Sequence, residues 1–132
     1  MSQSWPDLLY RLTRNGKVEK AAIVDQHGHV IVSSHGFNVT KDDLNSIRSA
    51  FYGRHLTLMK VKVHGQLYTC LRHSTPTETV VGQADDDILV IHRAAGLSVV
   101  GLGHAGTPGS CLFEITKFAS EIQEKRKNSR LK

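Results

Sequence analysis

The stretch Leu97–Ile122, LSVVGLGHAGTPGSCLFEITKFASEI, restricts the possible fold more than any other part of the chain. Leu97, Val99, Val100 and Leu102 form an apolar run rich in β-branched residues, which predicts a strand packed on one or both faces. Gly101, Gly103 and Gly106 then predict a glycine-rich loop, where the backbone turns sharply or approaches another surface closely. Thr107-Pro108 is a helix start: the threonine hydroxyl can accept from free N–H groups, and proline at the first helical position loses no hydrogen bond. Cys111, Ile115, Phe118, Ala119 and Ile122 recur at three- and four-residue spacing, so one stripe of that helix faces a core. A helix laid across a sheet is the unit this segment predicts.

Gly101-Leu-Gly103-His-Ala-Gly106 also matches G-x-G-x-x-G after a strand, the pattern of a dinucleotide-binding turn. That function needs a βαβ unit of about 30 residues with an acidic residue on its second strand. One helix and a charged tail follow Gly106, with no second strand. Nucleotide binding is therefore disfavoured, and the glycines are expected to serve a sharp turn or a close approach of the backbone.

A chain of 132 residues predicts a single domain spanning 1–132. Its 39% hydrophobic content and mean hydropathy of −0.25 suit a globule, and no apolar run reaches the roughly 18 residues that a bilayer span needs. The first residues, MSQSWPDLLYRLTRNG, lack the charged-then-apolar layout of a signal peptide. Cys70 and Cys111 stand in no metal-type spacing and are expected as buried, reduced thiols of a cytoplasmic protein. The net charge of +5 predicts an acidic partner: a protein, an anionic lipid surface or nucleic acid. Nucleic acid is disfavoured because the few aromatics form no base-stacking strand pattern. Much of the excess charge lies in the tail, at Lys125, Arg126, Lys127, Arg130 and Lys132. Cations there complement the dipole at the end of a helix, and near an anionic membrane each is worth about 1 kcal/mol.

Taken in order, Ser4 followed by Pro6 and Asp7 predicts a helix start, Leu8, Leu9 and Leu12 a stripe, and Asn15-Gly16 a stop. Ala21–Val24 and Val30–Val32 predict a hairpin around His27-Gly28-His29, two histidines without a third metal ligand nearby. Thr40, with Asp43 three positions on, predicts a capped helix through Leu44, Ile47, Arg48 and Phe51 to Gly53. Leu56–Val63 and Leu67–Leu71 predict a second hairpin turning at His64-Gly65, and Val80-Val81 and Ile88–Ile91 two more strands. These elements predict an α+β domain with a central antiparallel sheet of six to seven strands and the N- and C-terminal helices packed on one face.

Eight histidines do not make an enzyme. There is no G-x-S-x-G elbow, and neither cysteine has a recognisable protease context. Cys111, at a helix start, would gain thiolate character from the dipole, but a small buried hydrophobe is the expected role. Asp85-Asp86-Asp87 lacks the alternating ligands of a calcium loop. No catalytic site, cofactor or metal is expected.

The order of segments resembles profilin, the small actin-monomer-binding family, across essentially the whole chain. The pieces that carry the resemblance are Ala21-Ala22-Ile23-Val24, GFNVT at 36–40, Tyr68-Thr69-Cys70-Leu71-Arg72, LSVVG at 97–101 and Thr107-Pro108-Gly109-Ser110-Cys111. The resemblance implies a monomer that binds actin through Thr69, Cys70, Arg72, His104, Gly106 and Glu114. Arg72 would suit this role, because its planar fork can hold a carboxylate through two hydrogen bonds. Profilins also hold proline-rich segments in an aromatic groove between the terminal helices. Here Trp5 matches the family's tryptophan, but Leu8, Ile31, Glu121 and Lys127 stand where rings or histidine are usual, so weak or absent proline-rich binding is expected. Phosphoinositide binding, also usual in the family, would have to rest on the basic tail, since Asp85–Asp87 occupies the loop that is often basic.

Overall fold

A computed structural model of the chain describes residues 4–14, 16–49, 51, 59–73, 78–94, 96–104 and 108–129. The elements in order are α1 (Trp5–Thr13), β1 (Lys20–Asp25), β2 (Val30–Ser33), α2 (Lys41–Ser49), β3 (Met59–Val63), β4 (Gln66–His73), β5 (Glu78–Ala84), β6 (Asp87–Ala94), β7 (Leu97–His104) and α3 (Pro108–Ser129). The strands form one seven-stranded sheet in the order β2-β1-β7-β6-β5-β4-β3, with every neighbouring pair antiparallel.

Alternation along the central strands sorts their side chains into two cores. Ala21, Ile23, Ile88, Val90, Leu97 and Val99 pack with Leu8, Leu9 and Leu12 of α1 and with Cys111, Ile115, Phe118, Ala119 and Ile122 of α3. Ala22, Val24, Leu89, Ile91, Val100 and Leu102 face the other way, among Phe37, Ile47, Phe51, Tyr68 and Cys70. Burial on both faces explains why β1, β6 and β7 read as continuous apolar runs. The terminal helices thus share one face of the sheet, and α2 lies on the opposite one.

β7 departs from the sequence expectation. The strand continues to His104, so Gly101 and Gly103 lie inside it rather than in a loop. A Cβ on Gly101 would run into Ile115, and one on Gly103 would sit 2.9 Å from the carbonyl oxygen of Lys17 and 3.1 Å from Cys111 Sγ. These glycines let α3 and the α1–β1 connection lie directly on the strand. Gly106 and Thr107 lie outside the described residues.

Local chemistry fixes the other boundaries. Asp7 N–H donates to Ser4 Oγ at 3.3 Å, capping α1. The β3–β4 turn has left-handed backbone at both His64 (φ 55) and Gly65 (φ 77), the form that matches strand twist in a two-residue hairpin. α2 is described to Ser49 and β3 from Met59; Gly53, the expected end of that helix, and Leu56 lie outside the described residues.

Asp43 joins two of these features. Its N–H donates to Thr40 Oγ1 at 3.1 Å, and its own Oδ2 accepts from the N–H of Thr40 at 3.2 Å and of His64 at 3.4 Å. One buried carboxylate therefore caps α2 and pins the β3–β4 turn to it. Asp43→Ala, which leaves both N–H groups without that acceptor, should cost about 2 kcal/mol in urea unfolding. Asp43→Asn retains a carbonyl oxygen and should cost less.

The buried pair Thr79 and His92 has its Oγ1 and Nδ1 atoms 2.8 Å apart across β5 and β6. Burial holds the His92 imidazole below its ordinary value. As pH falls below about 6.5 the unfolded chain takes up a proton that the folded chain resists. This contribution to stability is complete above that pH and is lost on acidification. Thermal unfolding between pH 7.5 and 5 should show a smaller acid-side loss in His92→Gln than in the native chain.

Candidate functional site

The helices leave half of one sheet face open. On their side, among the described residues, α3 lies over β6 and β7 while α1 lies over β1 and β2, and neither packs broadly on β5, β4 or β3. Val61, Val63, Tyr68, Cys70 and Val80 belong to the core on the α2 side. The alternate residues Lys60, Lys62, Leu67, Thr69 and Gln83 therefore point to the open side, and all five are exposed. Register gathers them: Lys60 lies opposite Thr69, Lys62 opposite Leu67, and Thr69 opposite Gln83. Leu67, 53% exposed, supplies an apolar centre, and the two lysines a positive margin.

This arrangement divides the residues assigned to partner binding by resemblance. Thr69 lies on the open face. Cys70 faces the opposite core, fully buried, with its thiol donating to the Tyr68 carbonyl at 3.6 Å. Strand alternation separates these neighbours, so they cannot share a contact surface. Arg72 is opposite Val80 in the β4–β5 ladder, and its side chain lies outside the described residues. Gly106 is likewise not described.

His104, the last residue of β7, stands at the rim of the sheet rather than on its open face. Nε2 of its ring is paired with Glu19 Oε2, and Nδ1 lies 3.7 Å from Asp87 Oδ1. Glu114 is seven residues before Glu121, which places both on one stripe of α3. Glu121 Oε2 lies 3.6 Å from Arg11 of α1, so that stripe is the one turned toward α1 and away from the open strands. The flank next to β5 carries Leu112, half-buried against the core, and Thr116, whose hydroxyl donates back to the Leu112 carbonyl at 3.0 Å. Beyond it Phe113 is 60% exposed.

Leu67, Lys60, Lys62, Gln83 and Phe113 went unmarked in the sequence. Once Tyr68 and Cys70 are placed inward, period-two alternation marks Leu67 and Thr69 as outward. The missing information was which of the two faces has no helix.

Between α1 and α3 an ion pair lies above a shared apolar core. Trp5 packs against the core at the start of α1, Leu8 is buried beneath the helix, and the Arg11–Glu121 ion pair crosses to α3. Ile31 is 37% exposed on the edge strand β2. Lys125, Arg126 and Lys127 lie in the last turns of α3 with side chains outside the described set, as are Arg130 and Lys132 entirely.

Neither thiol is poised for chemistry. Burial pushes Cys70 up to about 11, and burial with the nearby Glu19 carboxylate pushes Cys111 up to about 11. Desolvation outweighs the helix dipole at Cys111. In the β1–β2 turn, Asp25 Oδ1 accepts from the N–H groups of His27 and His29, both at 2.9 Å, and so shapes the turn itself. Among the described residues no group of three or more side chains could hold a metal ion, and no helix is long and apolar enough to cross a membrane.

Several solved structures share this architecture. Profilin from Schizosaccharomyces pombe is 21% identical, with 92% of this chain and 98% of that chain covered at a TM-score of 0.76. LokiProfilin2, solved in a complex with rabbit actin, is 14% identical, with 92% and 97% covered at 0.75. Mouse profilin IIa, in complex with a double repeat from the FH1 domain of mDia1, is 15% identical, with 93% and 99% covered at 0.72. No curated protein sequence matches the chain closely. The sequence pattern described as Profilin matches residues 3–127, nearly the full length, and the seven-stranded sheet with both terminal helices on one face agrees with it: the chain belongs to the profilin family.

Proposed function

We propose that this protein binds monomeric actin and thereby regulates actin polymerisation, as a non-enzymatic cytoplasmic protein. The observation that carries the reading is the open half-face of β3, β4 and β5 beside α3, with Leu67 and Thr69 at its centre and Lys60 and Lys62 at its margin. It combines an apolar centre with a charged rim, the anatomy of a protein–protein contact. A fold-mate solved in complex with rabbit actin supports the choice of partner. Added to pyrene-labelled actin monomers, the protein should lengthen the nucleation lag and co-elute with actin in gel filtration. An unchanged lag without a complex would remove the reading.

Binding of proline-rich segments is proposed to be weak or absent. A proline helix is held by stacking on rings, and here Leu8 is buried and the Arg11–Glu121 pair crosses from one helix to the other. Trp5 fluorescence should not shift on adding polyproline up to about 1 mM, a concentration at which about 4 kcal/mol of binding energy would register. A saturable shift would show a working groove.

A second reading, contact with anionic phospholipid, is favoured by the run of α3 to Ser129, which sets Lys125, Arg126 and Lys127 on consecutive helical positions. Co-sedimentation with anionic liposomes that weakens with salt would support it.

A further inference from the structure

We propose that Ser46 of α2 is a positioning residue for the open half-face: its hydroxyl holds the outer edge of β3, and with it the Lys62–Leu67 rung that the partner meets. The role rests on the actin-binding function proposed above. The Lys62 N–H donates to Ser46 Oγ at 2.7 Å. Because β3 is an edge strand, paired only with β4, an N–H on its outer side has no neighbouring strand to receive it. Two residues on, the His64 N–H donates to Asp43 Oδ2 at 3.4 Å. Two side chains about one turn apart on α2 thus accept from alternate N–H groups, as the carbonyls of a further strand would.

The pairing of β3 with β4 makes the Lys62 contact matter. Val63 lies opposite Gln66 and closes the two-residue turn at His64-Gly65, so these two exchange ladder hydrogen bonds. The next pair, Lys62 and Leu67, is then the kind of rung that exchanges none, in agreement with a Lys62 N–H that points outward to α2. Side chains of such a rung stand close together. This one presents Leu67 at the centre of the open half-face and Lys62 at its margin. Edge strands open locally at little cost. Each opening at Lys62 carries it away from Leu67, which lowers the fraction of molecules that offer the complete face and, with it, the apparent affinity. Ser46 is half-buried, on the helix that packs behind the sheet, so it acts through β3 and not by touching the partner.

Amide hydrogen exchange on the ¹⁵N-labelled full chain and titration into monomeric actin test this together. In Ser46→Ala, protection of the Lys62 amide should fall about fivefold or more, as expected for the loss of one hydrogen bond. The Kd for actin should rise about threefold in the same variant. Ser46→Thr keeps the hydroxyl and should stay within about twofold of the native chain in both readings. Cys70→Ala, which loosens the α2-side core without reaching the open face, is the control for stability and should leave Kd unchanged. Native protection of Lys62 in Ser46→Ala would overturn the hold on β3. A fall in protection with native Kd, equal losses in Ser46→Thr, or an equal rise of Kd in Cys70→Ala would overturn the positioning role. A native chain that fails to bind actin would instead remove the proposed function, and the positioning role with it.

Discussion

Gly103→Ala should destabilise the protein by about 2–3 kcal/mol, read as a lowered denaturant midpoint at unchanged slope. The new methyl would stand 2.9 Å from the Lys17 carbonyl oxygen and 3.1 Å from Cys111 Sγ. Backbone fixes the first contact, so the α1–β1 connection must move and α3 must lift with it. Gly101→Ala is the instructive contrast, since its methyl meets Ile115 Cδ1, the far end of a side chain that can rotate. Its cost should be smaller, about 1 kcal/mol, and Ile115→Val should recover part of it in a double-mutant cycle. No such rescue is expected at Gly103. Equal and small effects at both positions would mean that α3 does not rest on β7 as closely as described.

The second large effect concerns binding. Leu67→Asp combined with Thr69→Glu puts two acids at the centre of the open half-face. Affinity for actin monomers should fall by about 2 kcal/mol or more, roughly thirtyfold, as when a buried hot spot is lost. Both residues are exposed in the free protein, so the midpoint of thermal unfolding should hardly move. Lys60→Glu with Lys62→Glu should weaken binding less and alter its salt dependence, because these charges lie at the margin. Cys70→Ala should act in the opposite way, lowering stability and sparing affinity, because Cys70 is wholly buried in the α2-side core.

Most of the fold was legible because local signals agree with one another. Ser4 and Thr40 cap helices where side-chain chemistry says they should, and His64-Gly65 turns the chain where two left-handed residues are tolerated. The continuous apolar runs of β1, β6 and β7 announce strands covered on both faces. Gly101 and Gly103 misled for a physical reason: glycine marks either a turn or a close approach, and only the position of α3 decides between them. The functional face was less legible. A single strand shows which residues alternate but not which side lacks a helix, so Cys70 and Thr69 could be joined on one surface that the sheet divides. Glu114 shows the same limit on a helix, because its spacing from Glu121 has no meaning until Arg11 is seen beside Glu121.

The decisive measurement is a hydrogen-exchange footprint of the full chain, free and with saturating actin monomer. New protection should concentrate on β3, β4 and β5 around Lys62, Leu67, Thr69 and Gln83, extending to the first turns of α3 near Leu112, while α2 and β2 stay unchanged. Protection confined to α2 and β2, or no protection at actin concentrations that saturate another profilin, would contradict an actin-binding role for the open half of the sheet.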